Sequence, residues 1–538
     1  MPNNVAHPIG AAWLVQTYKL SVVGQLPVIS QVGPRRTSQV YADYTLETYA
    51  ENMRPADHAA AHLHFHLRHE IPHLEFLARL FNIAGGDFIQ AWVNAEPTGQ
   101  YARRAAFLYE WLSGNTLQVP DRLKGNYVDA LDAEKQLTAS PEQQLKEPRW
   151  RVNDNMPGTR YFCPTVAKTE ALQHAINLDI PQLIQHLNDE FGSELLQRAS
   201  IWMTLRESKA SFAIEGEGDQ AKRIERFADV MARRTGRGDS VLNESALAQL
   251  QQEILGDRTT LTHFGPRLSP VFVGETIGYQ DVVHYVAPPA EDLAAMLEGL
   301  RTFLERTQGQ SPVMRAAIAA FAFVYIHPLA DGNGRVHRFL VNDLLQRDDA
   351  VPAPLILPIS AVMSDDVVER RAYDKVLDTI SKPLMQHVRD DINFATSYTT
   401  YPDGVVSNLR FTANDEAQPV WRYPNLQPHI IFLSGVLHRT ITEQMHEQSR
   451  HLRTHIRARQ AVKEVVEMPD HQADRLLRSI EQNNGRLSNV LSKEMPILNR
   501  PEVWSAIVAA VNLAKQEERP ADPNVIARYH PNRPAGGA

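Results

Sequence analysis

The 538-residue sequence predicts a mainly α protein, in which a helical core with a small β-hairpin is flanked by helical N- and C-terminal domains. Apolar residues recur at three- and four-residue spacing along most of the chain, which is the period of an amphipathic helix. Residues 269–289 instead show β-forming residues between glycines, which favours one hairpin. The chain is also too long for one hydrophobic core, so we expect about three domains.

The first domain boundary is placed at a loop-like stretch, residues 150–164, which is rich in turn-forming residues. Residues 1–165 are predicted to form a mainly helical N-terminal domain, and residues 166–395 the core. Residues 396–538 are predicted to form a C-terminal helical domain. Its final stretch, 517–538, is rich in proline, arginine and asparagine, which predicts a disordered end.

Composition and charge limit the classes of function. The net charge of −8 argues against a protein dominated by nucleic-acid binding, although one basic face is compatible with it. The single cysteine, Cys163, excludes internal disulfides and cysteine-based zinc sites and fits a reducing, cytoplasmic location. The sequence shows neither a signal peptide nor a run of ~20 apolar residues, so we expect no membrane partner.

The N-terminal domain is predicted to contain helices over residues 46–80 and 101–111, and the first of these carries four histidines. They are His62, His64, His66 and His69. Histidines four residues apart can bind a metal on one helix face. The alternative is a solvated or core-flanking helix, because no cysteine or carboxylate accompanies them at a known ligand spacing.

The core begins with a predicted helix that ends in an unusual way. Residues 193–214 carry an apolar face, and Ser211 and Glu215 lie four residues apart, so they share one side of the helix. Gly216 is the residue type that ends helices. A carboxylate at the negative end of a helix dipole requires a nearby cation, unless Glu215 is simply solvated.

The hairpin and two helices lead to the most informative stretch. Residues 269–289 are predicted to form a hairpin with a loop of several residues, serving as a structural arm or offering its edge to an extended peptide. Residues 291–308 follow as an amphipathic helix. Ser311 then caps a helix that is apolar nearly all round over residues 316–326, so we expect it to be buried and to deliver His327 at its end.

The residues from His327 to Arg338 combine a base, a carboxylate, glycines and two cations. The pKa of a histidine lies close to neutral pH, so His327 is the candidate base, whereas His337 lies inside the next helix and is expected to be packed or solvated. Gly332 and Gly334 permit backbone N–H groups to converge on an anion at a helix N-terminus.

The charged residues of this stretch predict a phosphate chain with a metal ion. Arg335 and Arg338 lie three residues apart on the following helix, so both can bind one phosphate chain. Asp331 would repel phosphates unless Mg²⁺ lies between them, and Mg²⁺ is the ion we expect there.

These residues resemble a known family. His327-Pro-Leu-Ala-Asp331-Gly-Asn-Gly-Arg-Val-His-Arg338 matches the Fic motif H-P-[FL]-x-[DE]-G-N-G-R-x-x-R at every defined position. Residues 211–216 resemble the Fic inhibitory motif [ST]-x-x-x-[EN]-[GN], in the class whose inhibitory helix, here about residues 193–217, precedes the core. Residues 269–289 lie where the family has its target-docking flap. The resemblance covers roughly residues 190–390.

The resemblance implies a Fic-type helical core and a protein adenylyltransferase that moves AMP from ATP to a Tyr, Thr or Ser hydroxyl. It implies that His327 deprotonates the hydroxyl and that Asp331 holds Mg²⁺. The residues implied to bind the nucleotide are Gly332, Asn333, Gly334, Arg335, Arg338 and Tyr373, the last near the adenine. Ser211, Glu215 and Gly216 are implied to inhibit, with Glu215 occupying Arg338.

Other interpretations stay open from the sequence. The same loop serves hydrolytic removal of AMP if Glu215 orients a water molecule. A nucleotide-sensing regulatory protein, with a helical tail that binds DNA or a partner, is the alternative from another class.

The predicted tail helices are residues 438–464, 473–480, 487–494 and 502–515. Acidic residues accompany their arginines, which favours a solvated surface over DNA binding. The protein itself is one candidate acceptor of AMP, and the oligomeric state is left open.

Overall fold

A computed structural model describes residues 6–217, 220–257, 259–278 and 280–516. The fold is mainly α, as predicted. The disordered end predicted for residues 517–538 lies outside the described residues. The chain divides into two compact units. The first comprises Met1–Pro181 and Thr204–Thr440, and the second comprises Gln182–Met203 and Ile441–Ala538.

The N-terminal segment combines helices with two small sheets. Its elements are β1 (Pro8–Ile9), α1 (Ala11–Tyr18), β2 (Val28–Gly33), β3 (Thr37–Val40), β4 (Thr45–Ala50), α2 (Ala59–His69), α3 (Leu74–Ala84), α4 (Asp87–Ala95), α5 (Gln100–Ser113), β5 (Val128–Asp129), β6 (Leu145–Glu147) and β7 (Val152–Asp154). One sheet has the order β1-β2-β4-β3, with β2 and β4 parallel, and the other has the order β5-β7-β6. The helices pack around buried residues that include Leu63, Phe76 and Trp150.

The helix predicted over residues 46–80 is wrong at its start and in its middle. Residues 46–50 belong to β4, because this short segment pairs with β2 and its backbone bonds are satisfied there. Helix α2 begins only at Ala59. A break separates it from α3, since Pro72 disfavours helical backbone at the residue before it. The prediction of a mainly helical segment therefore missed both sheets.

The four histidines of α2 pack as part of the fold. His62 stacks on Trp13 with ring centroids 3.9 Å apart, and Nδ1 of His66 lies 2.7 Å from a carboxylate oxygen of Glu70. In the described ranges no group of three or more His, Cys, Asp or Glu side chains is arranged to hold a metal. The structure therefore favours the core-flanking interpretation of these histidines.

The central part of the chain carries the predicted core elements. They are α6 (Glu170–Ile176), α7 (Ile180–Phe191), α8 (Ser193–Ile214), α9 (Ala221–Arg234), α10 (Glu244–Leu255), β8 (Phe272–Ile277), β9 (Gln280–Val286), α11 (Leu293–Arg306), α12 (Pro312–Ile326), α13 (Asn333–Arg347), α14 (Ile359–Asp365) and α15 (Val367–Val388). Helix α8 has the predicted bounds, and the Ser311 side chain caps α12 by accepting from the Met314 N–H. Helix α12 is buried almost throughout, as expected.

The hairpin of β8 and β9 is tighter than predicted. The two strands pair antiparallel, and β8 ends at Ile277 while β9 begins at Gln280, so the loop is shorter than expected. Gly274 lies inside β8, where the pairing register shifts, because a glycine accommodates a bulge without ending the strand.

The C-terminal part begins with a second hairpin that the sequence analysis missed. Its elements are β10 (Ile392–Thr400), β11 (Val406–Phe411), α16 (Asn414–Arg422), α17 (Gln427–Arg439), α18 (His446–Val465), α19 (Asp470–Gln482), α20 (Asn489–Glu494) and α21 (Pro501–Gln516). The helix predicted over residues 438–464 is interrupted by a π-helical turn, Thr440–Met445, where the Thr440 hydroxyl donates to the Val436 carbonyl.

The helices of the second unit expose paired charges. Lys463 lies 2.6 Å from Asp470, Lys515 lies 2.7 Å from Glu481, and Arg459 also contacts Asp470. This pairing agrees with a solvated, salt-bridged surface. In the part of the chain that the structure describes, no helix has the length and apolar character that a membrane crossing needs. The cytoplasmic location stays a prediction.

Candidate active site

The predicted loop connects two packed helices. The backbone of His327 adopts the left-handed conformation at the end of α12, with φ of 48°, and its N–H donates to the Phe323 carbonyl. Gly332 adopts φ of 92° immediately before α13, a value that favours glycine. The Asn333 side chain spans the loop: it accepts from the Leu329 N–H at 3.0 Å and donates to the Leu329 carbonyl at 2.7 Å.

The side chain of Asn333 braces the loop. Both of its polar atoms are hydrogen-bonded to the backbone of Leu329. The side chain therefore fixes the loop between His327 and the start of α13. Its backbone N–H, at the first turn of α13, is placed to approach an anion, and phosphate binding by Asn333 stays a prediction.

His327 has the protonation state of a general base. Its Nδ1 lies 3.3 Å from the Val324 carbonyl oxygen, which only accepts, so Nδ1 carries the proton. Among the described residues Nε2 has no hydrogen-bond partner, and it is therefore left as an acceptor. Burial, followed by the nearby positive charge of Arg267, lowers the pKa of His327 to about 4, so the ring is neutral at pH 7.

His337 is packed, as expected. Its Nδ1 donates to the Ala320 carbonyl at 2.8 Å, and its ring contacts Phe321 edge to face. Burial lowers the pKa of His337 to about 3. The side chain joins α13 to α12 and lies away from the loop that holds the candidate base.

The start of α13 forms an anion site, and a carboxylate occupies it. One oxygen of Glu215 accepts a hydrogen bond from Nη2 of Arg338, and the other lies 3.1 Å from Nε of Arg335. A Cβ atom at Gly334 would lie 2.3 Å from Glu215, so the glycine permits this close approach. The carboxylate thus contacts both predicted phosphate-binding arginines at the positive end of the helix dipole.

The end of α8 is shaped to deliver that carboxylate. The Glu217 N–H donates to the Phe212 carbonyl and the Gly216 N–H to the Ala213 carbonyl, which is the Schellman arrangement with Gly216 at φ of 75°. The Ser211 hydroxyl, one turn earlier, accepts from Nε of Arg338 at 2.6 Å. Ser211 and Glu215 therefore hold Arg338 together, and the predicted contact between Glu215 and Arg338 is present.

Asp331 lies at the exposed rim of the site. Its side chain is 53% exposed, and one oxygen accepts from Nη2 of Arg335 at 3.1 Å. A single accessible carboxylate beside an anion site fits Mg²⁺, because this ion is commonly bound by one or two carboxylates plus substrate phosphates and keeps several waters. The donor set therefore suits a metal that arrives with a nucleotide.

Tyr373 belongs to an aromatic cluster next to the arginines. Its ring lies 6.3 Å from His337 and 6.0 Å from Phe432, centroid to centroid. Burial raises the pKa of Tyr373, and the charges of Arg338 and Glu215 act on it. The side chain is packed within the core near the anion site. Its predicted contact with adenine stays a prediction.

Comparison with known proteins agrees with this geometry. The sequence profile of the Fic/DOC family matches residues 241–345, from α10 to the end of α13. This chain contains a Fic/DOC domain. Residues 211–216, for which the resemblance implies inhibition, lie outside the matched segment.

The curated relatives match only a part of this chain. Protein adenylyltransferase Fic of Drosophila grimshawi is 34% identical over 114 residues, which is 21% of each chain. Protein adenylyltransferase fic-1 of Caenorhabditis briggsae is 33% identical over 115 residues, 21% of this chain and 20% of that protein. The chain therefore spans about a fifth of the length of the curated relatives it matches.

One solved structure is also similar. A Fic family protein from Desulfovibrio desulfuricans G20 has 19% sequence identity and a TM-score of 0.35, with 59% of this chain and 88% of that chain covered.

Three residues of the Fic domain or its surroundings were missed by the sequence analysis. Gln251 of α10 donates to the Asp331 carbonyl at 2.9 Å and accepts from the Gly265 N–H. Arg267 donates to the His327 carbonyl at 2.8 Å. Glu207 of α8, four residues before Ser211, accepts from the Ser360 N–H and hydroxyl, and burial raises its pKa to about 7. Only Arg267, between Pro266 and Leu268, has apolar neighbours on both sides, and this was the one local signal among the three.

Proposed function

We propose that this protein is a protein adenylyltransferase that moves AMP from ATP to a Tyr, Thr or Ser hydroxyl and is restrained by Glu215. One observation carries the proposal. A neutral histidine with an open Nε2 begins the same loop whose other end holds an anion between Arg335 and Arg338. The base and the phosphate site are thus joined by a short, braced segment.

The chemical step requires a base on one side of a phosphorus atom and cations on the other. The acceptor oxygen forms a bond to the α-phosphorus of ATP while the bond from that phosphorus to the bridging oxygen breaks. The hydroxyl proton passes to Nε2 of His327, and pyrophosphate leaves. Arg335 and Arg338 take the charge that develops on the leaving group, in place of water. The N–H groups at the start of α13 orient the phosphates.

Asp331 would hold Mg²⁺, which supplies charge neutralisation and alignment of the phosphates when it is bound. Arg335 contacts the same carboxylate and so keeps it at the rim of the site. The Mg²⁺ requirement is part of the proposal.

The restraint follows from competition for the arginines. Glu215 presents two oxygens to two buried cations, as a phosphate would, and Ser211 holds Arg338 in the same place. While the carboxylate of Glu215 stays on Arg338, the terminal phosphate of a bound nucleotide cannot contact that arginine. We therefore propose that the unmodified chain transfers AMP slowly and that displacement of Glu215 releases it.

Labelled ATP tests both parts of the proposal. With Mg²⁺ and ATP labelled at the α-phosphate, Glu215→Gly should increase self-labelling by ~10- to 100-fold, because a charged hydrogen bond contributes ~1.5–3 kcal/mol. Adding His327→Ala should reduce labelling by ~10²–10⁴, the usual contribution of a general base. Intact-mass measurement should show the mass of one or more AMP groups.

A neighbouring carboxylate provides the matched control. Glu217 lies 3.9 Å from Arg335. Glu217→Gln should leave labelling close to that of the unchanged protein, because this longer, partly exposed contact is weak. Equal labelling of the Glu215→Gly form and the unchanged protein, with equal thermal stability, would contradict the restraint. Undiminished labelling in the His327→Ala form would exclude His327 as the general base.

A further inference from the structure

Arg267 is a buried cation that touches three separate parts of the catalytic region. It precedes the hairpin and is 1% exposed. Its Nε donates to the His327 carbonyl at 2.8 Å, Nη1 to the Ser269 carbonyl at 2.6 Å and Nη2 to the Pro288 carbonyl at 2.5 Å. Its own backbone N–H donates to the Pro328 carbonyl at 2.7 Å.

The partners of Arg267 are unusual for a buried charge. Among the described residues no carboxylate lies within ion-pair distance of its guanidinium, and burial lowers its pKa to about 10. Burying an unpaired cation is costly, so the three carbonyl dipoles must offset most of that cost. A guanidinium can do so because its planar fork donates in several fixed directions at once.

The carbonyls that Arg267 joins mark both ends of the hairpin and the start of the loop. Ser269 lies before β8, Pro288 lies after β9, and His327 is the candidate base. Two further contacts hold the same region: the Tyr285 hydroxyl donates to the Tyr325 carbonyl at 2.7 Å, and Asp403 accepts from the Leu268 N–H at 2.7 Å. The hairpin is therefore fixed to the end of α12 at its base.

We infer that Arg267 is a positioning residue for the proposed transfer, which fixes His327 relative to both ends of the β8–β9 hairpin. This inference rests on the proposed function. The hairpin is a two-stranded sheet, so each strand has one edge without a partner strand in the described chain. Such an edge can hold an extended acceptor segment by backbone hydrogen bonds. Arg267 then sets the distance between that segment and Nε2 of His327.

Arg267 also acts on the charge of the base. Its positive charge lowers the pKa of His327 in addition to the effect of burial. The hydrogen bond to the Val324 carbonyl acts in the opposite direction and raises that pKa. Loss of the guanidinium should therefore make His327 easier to protonate as well as less well placed. Loss of a merely structural arginine elsewhere would change neither property.

Two substitutions in the Glu215→Gly background separate geometry from charge. Arg267→Met keeps an unbranched apolar stem and removes the guanidinium with its charge, so transfer to the protein itself should fall ~100-fold, the effect of a small misplacement of reacting groups. ATP affinity, measured with a fluorescent ATP analogue, should not change. The acid limb of the pH–rate profile should move up towards the ordinary histidine pKa. Arg267→Lys should keep the acid limb low and restore the rate only in part.

Arg103 offers a matched control. Its buried guanidinium also donates to backbone carbonyls, those of Trp150, Arg151 and Asn126, and it has no contact with the loop. Arg103→Met should lower stability comparably but leave transfer per folded molecule unchanged. If Arg267→Met destabilises the fold too far, Arg267→Lys still tests the inference, since a charge without the fork should give an intermediate rate.

The outcomes distinguish this inference from the proposed function. Full transfer in Arg267→Met, or a loss explained by weaker ATP binding, would overturn the positioning role. If the Glu215→Gly background itself fails to label, the proposed function is wrong. In that case the pKa of His327, measured by NMR with selectively labelled histidine, still tests whether Arg267 acts on that ring. An unchanged titration in Arg267→Met would overturn it.

Discussion

The buried arginines beside the loop of residues 327–338 form two groups, a pair and a single residue, whose partners differ in kind. Arg335 and Arg338 contact the carboxylate of Glu215, whereas among the described residues the guanidinium of Arg267 donates to backbone carbonyls alone. A carboxylate on the end of a helix can be replaced by a phosphate of similar charge and shape. A backbone carbonyl cannot leave without moving the loop itself. The first group is therefore suited to exchange ligands, and the second to hold a fixed geometry.

The largest expected effect comes from removing Arg338, one of the two arginines suited to exchange ligands. In the Glu215→Gly background, Arg338→Ala should lower transfer by ~10²–10³, because a preorganised charge that stabilises the transition state is lost. Labelling with α-labelled ATP measures this. Arg347→Ala, on the same helix and paired with Asp343, is the control and should retain activity. Retained activity without Arg338 would mean that Glu215 and the phosphates do not compete for it.

Substitution of Asp331 tests whether Arg335 and Arg338 act together with a metal ion. Asp331→Asn should reduce transfer by ~10² and raise the Mg²⁺ concentration needed for half-maximal rate, since one carboxylate holds the ion. Chelation of Mg²⁺ should stop transfer in both forms. Asp390→Asn, at a carboxylate that is 95% exposed, is the control. An identical Mg²⁺ titration for Asp331→Asn and the background would exclude Asp331 as a ligand.

The fixed group predicts an unusual pH dependence. His327 must be neutral to accept a proton, and burial together with Arg267 lowers its pKa to about 4. The rate of the Glu215→Gly form should therefore persist well below pH 6.5, at pH values where an ordinary histidine is protonated. The unfolded chain binds the proton near pH 6.5, so this histidine also lowers the free energy of unfolding as pH falls from about 6.5 towards 4. An acid limb near 6.5 would contradict the buried, neutral ring inferred for His327.

The smallest effect concerns stability near the exchangeable group. Burial raises the pKa of Glu207 to about 7 from 4.5, so the folded chain resists ionisation there. The free energy of unfolding should fall as pH rises from about 4.5 past 7, by on the order of 3 kcal/mol. Glu207→Gln should flatten that dependence in chemical denaturation. Glu253→Gln is the control of opposite sign, because Arg234 lowers the pKa of Glu253 and its stabilisation is lost as pH falls.

The loop of residues 327–338 could be predicted from sequence because its chemistry is contiguous. His327, Asp331, Arg335 and Arg338 lie within twelve residues, and the fixed spacing places them around the start of one helix. For Glu215 the residues alone left a solvated helix end open. Its predicted contact with Arg338 came from the resemblance of residues 211–216 to the Fic inhibitory motif.

Arg267 and Gln251 could not be predicted, because their partners are backbone atoms brought together only by the fold. Sequence carries no sign of which carbonyl an arginine will meet. The sheets of the N-terminal segment were missed for a related reason: β4 is short, and its partner β2 is separated from it by another strand. The bracing of Leu329 by the Asn333 side chain was missed as well, because it depends on how the loop folds back on itself.

The bridge made by Glu215 has a genetic consequence. In the described chain it is the one carboxylate that contacts both arginines, while the base and the cations lie more than a hundred residues later in the sequence. Every glutamate codon becomes a glycine codon by a single base change. If the restraint is as proposed, one such mutation would yield a dominant, unregulated allele. Second-site suppressors of that allele should then cluster at His327, Arg338 and Arg267.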